Sequence, residues 1–168
     1  MLLRPASASD IPAIAALESG PVASQFVGQW SESRHRATLS GGDARYYVSE
    51  TDAGNIQAYA ILRGLHEDSR AIELKRIVIA VPGHGLGRQI LSELMRIAFR
   101  ELGAHRFFLD VYDDNARARH LYQSLGFRHE GIMREAANRD GKWCDLHLMS
   151  ILESEYTSTT IQPAPHVV

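Results

Sequence analysis

Apolar and polar positions along the chain follow two periods, one typical of strands and one typical of helices. Runs of β-branched and aromatic residues such as Ala71–Ile79 and Arg106–Tyr112 favour strands. Apolar residues spaced like Ile90, Leu91, Leu94 and Met95 lie on one side of a helix. The pattern predicts strands at 1–4, 46–48, 56–62, 71–79, 106–112, 127–135 and 143–152, and helices at 11–18, 30–39, 86–102 and 115–125. This order predicts an α/β fold, a mixed sheet with helices on both faces.

The 168 residues fit one domain, which we place at residues 1–153. Residues 154–168 turn polar and proline-containing, and we expect a mobile C-terminal tail there. No apolar run approaches the roughly 20 residues that span a bilayer. We therefore expect no membrane association.

Composition restricts the partners that the chain is expected to have. With 45% hydrophobic residues, 23% charged residues and a formal net charge of −2, the charge pattern favours neither nucleic-acid nor membrane-surface binding. The single cysteine, Cys144, has no internal disulfide partner, so we expect a reducing, cytoplasmic location. The eight histidines lack metal-ligand spacing and partner cysteines, so no metal site is predicted.

The glycine-rich stretch after Ile79 is the first candidate for chemistry. A strand that turns through Gly83, Gly85 and Gly87 into a helix directs backbone N–H groups and the positive helix end at one spot. Such a spot favours an anion, most simply a phosphate. Arg88-Gln89 stands where a P-loop needs Lys followed by Ser or Thr, and the glycine spacing also departs from the dinucleotide fingerprint. An ordinary glycine-rich loop stays open at this point.

Two motifs resemble the signatures of the GNAT superfamily of N-acetyltransferases. Gly85 and Gly87 match the glycines of its acyl-CoA loop, although Pro82 stands where the family usually has Arg or Gln. The second signature matches at Asn115, Ala118, Leu121, Tyr122, Gly126 and Phe127. The resemblance implies the GNAT fold, with a mixed, mostly antiparallel sheet, up to about residue 153. The closing segment looks like the branch with ribosomal-protein N-terminal and spermidine or diamine acetyltransferases.

The resemblance also implies roles for individual residues. It implies that Tyr122 protonates the departing CoA sulfur and that Asn115 hydrogen-bonds the pantetheine arm or the substrate end of the next strand. Structural alternatives are a buried, packed Tyr122 and an Asn115 that caps the following helix. The expected acetyl-CoA-binding residues are Ile77, Val78 and Ile79 for pantetheine, and Gly83, His84, Gly85, Leu86, Gly87 and Arg88 for the pyrophosphate.

A general base is expected at Glu73. Strict alternation puts Glu73, Lys75 and Ile77 on one side of the strand, unless a bulge intervenes. A solvated Glu73 paired with Lys75 or Arg76 is the structural alternative. Asp110, Asp113 and a water relay are competing bases.

Together these features predict an acetyl-CoA-dependent N-acetyltransferase that acts, without a metal, on a primary amine of a small molecule or peptide N-terminus. The alternatives are a non-catalytic acyl-CoA sensor and a protein that binds NAD or ATP through the glycine loop. Since dimers are common in the superfamily, a homodimer is a candidate assembly.

Overall fold

The computed structural model describes residues 3–21, 23–83 and 85–156. Its helices are α1 Ile11–Glu18, α2 Ala23–Phe26, α3 Glu32–Ser40, α4 Leu86–Arg96 and α5 Ala116–Ser124. Its strands are β1 Arg4–Pro5, β2 Ala44–Glu50, β3 Ile56–Arg63, β4 Ala71–Ile79, β5 Arg106–Tyr112, β6 Arg128–Arg139 and β7 Lys142–Leu152. A 3₁₀ turn at Ala8–Asp10 precedes α1, and a π-helical turn at Ile97–Glu101 extends α4.

The described residues form one seven-stranded sheet in the order β1-β2-β3-β4-β5-β7-β6. Neighbouring strands run antiparallel except β4 and β5, which are parallel. Helices α4 and α5 pack on one face over a core that includes Leu91, Leu94 and Phe107. Helices α1 to α3 cover the other face over Ile11, Tyr59 and neighbouring residues. The predicted mixed, mostly antiparallel sheet with helices on both faces is confirmed.

The parallel pair separates after a short contact. β4 and β5 pair only over Ala71–Glu73 and Arg106–Phe108. Beyond that point β4 stays paired with β3 up to Ile79, and β5 stays paired with β7 up to Tyr112. Because each strand keeps its outer neighbour, a wedge opens in the middle of the sheet.

A β-bulge in β4 changes the alternation predicted from the sequence. Ile61 pairs with Arg76 and the next residue, Leu62, pairs with Leu74, so Lys75 is the extra residue. As a result Leu74 and Ile77 both face the α4 side, where they contact the core. Glu73 is therefore not on the face of Ile77, contrary to strict alternation, and the bulge is the physical reason.

Some boundaries differ from the sequence prediction. Helix α2 was not predicted, since its four residues carry no apolar period. The first strand, Arg4–Pro5, ends one residue later than predicted. Residues 1 and 2 of the predicted strand lie outside the described part. Residues 153–156 form a helical turn in which Tyr156 stacks on Phe99 with ring centres 4.7 Å apart. Residues 157–168, most of the predicted tail, lie outside the described residues.

Candidate active site

The N-terminus of α4 presents free backbone donors to the wedge. Gly85 caps this helix with φ of 79°, a left-handed conformation that favours glycine. The first helical bond links the Gln89 N–H to the Gly85 carbonyl, so the N–H groups of residues 86–88 have no partner within the helix. These donors and the helix dipole favour an anion here.

Gly87 permits a close approach between α4 and β4. A Cβ atom at this position would lie 3.1 Å from Cδ1 of Ile79 and 3.5 Å from Cδ2 of Leu121. A side chain here would therefore require the Ile79 side chain or α4 to move by a few tenths of an ångström. The second glycine of the motif thus sets the position of the loop relative to the wedge.

The open edge of β4 carries further backbone donors. The Ala80 N–H points to β3, where it donates to the Gln57 carbonyl at 2.8 Å. Since successive N–H groups of a strand point to opposite edges, those of Ile77 and Ile79 point towards the wedge. An extended chain of amides laid along this edge could pair with them.

A slot of about 680 Å³ joins these features. It lies between β4, the glycine loop and α5. Of the residues predicted to bind acetyl-CoA or to act in catalysis, the slot is lined by Ile77, Val78, Ile79, Gly83, Gly85, Gly87, Arg88, Asn115 and Tyr122. The side chain of Leu86 packs against the core, while its backbone N–H is one of the three free donors; His84 lies outside the described residues.

Arg88 places a basic side chain at the phosphate end of the slot, next to the glycine loop. It donates from Nη2 to Oγ of Ser124 at 2.6 Å, which links α4 to α5. Arg117 and His120 line the slot from α5. The slot is therefore suited to phosphate groups.

Tyr122 is buried, with 7% of its surface exposed, and it lines both the slot and a second, inner cavity of about 310 Å³. Burial raises the pKa of its phenol, and the Asp110 carboxylate raises that pKa further. The hydroxyl therefore keeps its proton at neutral and alkaline pH. At the start of the same helix, Asn115 lines both cavities, and its Oδ1 accepts from the Ala118 N–H at 3.1 Å.

The inner cavity brings charged groups from β4 and β5 together. Lys75 and Arg76 line it from β4, and Asp110 lines it from β5. Asp110 is reached by solvent, yet the surrounding protein desolvates its carboxylate and raises its pKa. Lys75 opposes this rise in pKa and Glu73 adds to it.

Glu73 forms an ion pair with Lys75 and does not line the described part of the inner cavity. Its Oε1 accepts from Lys75 Nζ at 3.1 Å, as in the structural alternative for this residue. Within the described part of the chain, Glu73 is not among the residues that line the slot or the inner cavity.

Several residues of the site carry no sequence signal. The end of α2 and the residues that follow it line both cavities through Phe26 and Val27, and Gly28 lines the inner one. It belongs to no motif, and its position depends on contacts with residues far along the chain. Asp110 had a signal, because it is an acidic residue inside a strongly hydrophobic strand, but it was only one of several competing bases.

A model of the acetyltransferase (GNAT) family matches residues 17–127. The chain belongs to the GNAT family. Spermidine N(1)-acetyltransferase of Vibrio cholerae is 30% identical over 115 residues, covering 67% of this chain and 65% of that relative. A putative phosphinothricin acetyltransferase of Bacillus subtilis is 26% identical over 159 residues, covering 89% and 97%.

A solved GNAT structure shares the architecture over nearly the whole chain. The crystal structure of spermidine N-acetyltransferase from Vibrio cholerae in complex with CoA and spermine superimposes with a TM-score of 0.82. It is 25% identical and covers 92% of this chain and 96% of that one. The predicted family and fold are thereby confirmed. The N-acetyltransferase class and acetyl-CoA as co-substrate are also confirmed at the level of the family. The relatives support acetyl transfer to an amine over a role confined to binding.

Two features are absent from the described residues of this GNAT chain. No group of three or more His, Cys, Asp or Glu side chains there could hold a metal ion. No helix among these residues has the length and apolar character needed to span a membrane.

Proposed function

We propose that the chain transfers an acetyl group from acetyl-CoA to the primary amine of a small molecule or peptide N-terminus, by direct attack on the thioester. One observation carries this proposal: the slot meets the inner cavity at Tyr122, the residue that the second GNAT motif predicts as the acid. A thioester at this junction would have the phenol on one side and the acceptor on the other.

The slot suits acetyl-CoA along its length. The pantetheine amides would pair with the open edge of β4 at Ile77 and Ile79, and the pyrophosphate would accept from the N–H groups of residues 86–88. Arg88 would add positive charge beside the phosphates. In this pose the acetyl carbonyl lies against β4, where a backbone N–H would stabilise the oxyanion.

The chemistry then needs three proton movements. The ammonium form of the acceptor loses a proton to the base, and the neutral amine attacks the acetyl carbon, forming a C–N bond and a tetrahedral oxyanion. Collapse of this intermediate breaks the C–S bond, Tyr122 donates its proton to the departing sulfur, and the nitrogen releases its second proton to solvent. The raised pKa of Tyr122 keeps it protonated over the working pH range, and the phenolate then regains a proton from solvent.

Asp110 is the carboxylate best placed to take the proton of the amine, because it lines the inner cavity beside Tyr122. The assignment of Glu73 as base stays a prediction. We expect Asp110→Asn to lower kcat/KM for the acceptor about 100-fold and Glu73→Gln to change it less than about three-fold. The Asp110→Asn deficit should shrink as the pH approaches the pKa of the amine, since a neutral amine needs no base. The opposite ranking of the variants would assign the role to Glu73.

The charges of the inner cavity favour an acceptor with one positive charge. Lys75 is paired with Glu73 at 3.1 Å and Arg76 with Glu18 at 2.8 Å. Among the described residues that line the inner cavity, Asp110 is the one carboxylate, and it forms no ion pair with another described residue. The names of the relatives give different acceptors, spermidine in one and, as a putative acceptor, phosphinothricin in another. A polyamine would place further positive charges in the inner cavity, whose described lining has no carboxylate besides Asp110.

Release of CoA thiol from acetyl-CoA tests the function directly. The purified chain is assayed with a panel of benzylamine, amino acid amides, short peptides, putrescine and spermidine. We expect turnover with monoamines or peptide N-termini and at least ten-fold lower kcat/KM with spermidine. Tight acetyl-CoA binding without transfer to any amine would contradict the proposal and favour the acyl-CoA sensor.

A homodimer and a cytoplasmic location stay predictions, the second supported by the single cysteine. β6 is the outer strand of the sheet, and Ile132 and Trp143 in the last two strands are 52% and 59% exposed. We expect light scattering to give the mass of two chains, and Ile132→Glu to reduce it to one. A single-chain mass for the unaltered protein at about 50 μM would contradict the dimer.

A further inference from the structure

We propose that a buried ion pair, Glu18–Arg76, positions the segment that separates the acetyl-CoA slot from the acceptor, and so controls acceptor binding. The proposal rests on the proposed function, since it assigns the inner cavity to the acceptor. Both residues act through this segment and neither is proposed to react.

The segment in question is residues 26–30, named here the acceptor wall. Phe26 and Val27 line the slot, the inner cavity and an adjoining outer cavity of about 720 Å³. Gly28 lines the inner and outer cavities. Any shift of this short segment therefore changes the shape of the space next to the thioester.

Two backbone groups of the acceptor wall are bonded to the ion pair. The Gly28 carbonyl accepts from Arg76 Nη1 at 2.5 Å, and the Trp30 N–H donates to Glu18 Oε2 at 2.8 Å. The pair itself is closed by Arg76 Nη1 and Glu18 Oε1 at 2.8 Å. Both ends of the Gly28–Trp30 stretch thus depend on one pair of side chains, from α1 and β4.

The surroundings keep Glu18 charged although it is fully buried. Desolvation alone would raise its pKa, but four groups lower it overall: the His35 ring, whose Nε2 lies 3.4 Å from Oε1, the Trp30 N–H and the Tyr59 hydroxyl, which donate hydrogen bonds, and the charge of Arg76. An ionised carboxylate at this depth needs these partners in place. Glu18 therefore holds Arg76 and the wall in one arrangement.

Arg76 is fixed from a second direction. Its side chain is 9% exposed, and its guanidinium carbon lies 4.0 Å from the centre of the Trp30 ring. Arg34 lies at the same distance from that ring. Arg76 also follows the Lys75 bulge in β4, the strand whose open edge faces the slot. The pair thus sets the distance between the wall and the strand that would hold the thioester.

Three variants separate positioning from simple stability. Arg76→Lys keeps a cation beside Glu18 but removes the planar fork that reaches Gly28 and stacks on Trp30. Glu18→Gln removes the charge and keeps the shape. Tyr59→Phe is the matched control, because it removes a buried hydrogen bond to the same carboxylate without touching the wall.

For Arg76→Lys we expect an acceptor KM raised about ten-fold, kcat within three-fold of the unaltered chain and an unchanged KM for acetyl-CoA. Glu18→Gln should shift the acceptor KM in the same direction. Tyr59→Phe should lower the Tm while leaving both KM values within two-fold. Equal acceptor KM in Arg76→Lys and Tyr59→Phe would overturn the proposal.

Hydrogen exchange of the wall gives a readout that does not depend on activity. We expect the backbone amides of residues 27–30 to exchange at least ten-fold faster in Arg76→Lys than in Tyr59→Phe. Equal exchange would overturn the positioning role even if the enzyme is active. Absence of turnover in the unaltered chain would instead contradict the proposed function, while the exchange result still decides whether the pair holds the wall.

Discussion

Tyr122 lies at the junction of the two cavities and Asp110 lines the inner one, and burial raises the pKa of both. For the phenol the shift maintains the acid form that a departing thiolate needs. For the carboxylate it brings the proton affinity closer to that of an effective base. The same desolvation thus prepares two groups for opposite proton transfers.

Replacing Tyr122 by Phe should lower kcat about 100-fold, because the sulfur would leave without its proton donor. The dissociation constant of acetyl-CoA should stay within two-fold, since the ring still fills its place beside Phe127. The rate of thiol release measures kcat, and calorimetry measures the dissociation constant. Tyr47→Phe, a buried core position away from the cavities, is the control. Unchanged kcat in Tyr122→Phe would remove this phenol from the mechanism.

The raised pKa of Asp110 also predicts a pH-dependent stability. The folded protein binds the Asp110 proton more tightly than the unfolded chain, so ionisation costs stability above the folded pKa and nothing below the unfolded pKa of about 3.9. Asp110→Asn should therefore raise the Tm at pH 7 by roughly 1 to 2 °C, a small gain because solvent screens the carboxylate. Thermal unfolding from pH 3 to pH 8 measures it. A gain that persists unchanged at pH 3 would contradict this origin.

At the scale of elements, β4 and α4 together form one side of the site. β4 leaves β5 after three pairs, its bulge redirects Glu73, and its far end leads through the glycine loop into α4. The bulge makes Leu74 and Ile77 face the core together, while Arg76 faces the side of Glu18. One strand thus supplies the slot edge, the core contact and the anchor of the acceptor wall.

Gly87→Ala tests the packing between these two elements. Its Cβ would lie 3.1 Å from Ile79, so we expect α4 to shift and the acetyl-CoA dissociation constant to rise about ten-fold. Gly131→Ala in β6 is the control, because its Cβ would meet nothing within 4 Å. Calorimetry with CoA measures both variants. An unaltered dissociation constant in Gly87→Ala would show that the close approach does not shape the phosphate site.

The sequence predicted the elements whose signals are local. Glycine spacing and the Asn115–Phe127 motif placed the phosphate end of the slot and Tyr122, since these features lie within single stretches of chain. The bulge at Lys75 could not be predicted, because strand propensity is the same with or without one extra residue in the pairing. The positions of Phe26, Val27 and Gly28 in the acceptor wall could not be predicted from a motif, because the wall is held by bonds between residues far apart in sequence, as between Arg76 and Gly28, which are 48 residues apart.

At the scale of the molecule, the site lies where two cores meet. The core under α4 and α5 includes Tyr122, and the core under α1 to α3 surrounds the Glu18 network. The sheet between them is continuous except at the wedge. The side of α4 and α5 would thus hold acetyl-CoA, and the side of α1 to α3 would shape the acceptor pocket. This division explains why the cofactor motif could be read from sequence while the acceptor pocket could not.

The most direct test of this account is an NMR titration of ¹⁵N-labelled protein with CoA. We predict saturable shifts that are largest at the amides of Ile77, Ile79 and residues 85–88, with smaller changes at the acceptor wall. Shifts confined to other surfaces, or none at millimolar CoA, would contradict the placement of the cofactor in the wedge between β4 and β5.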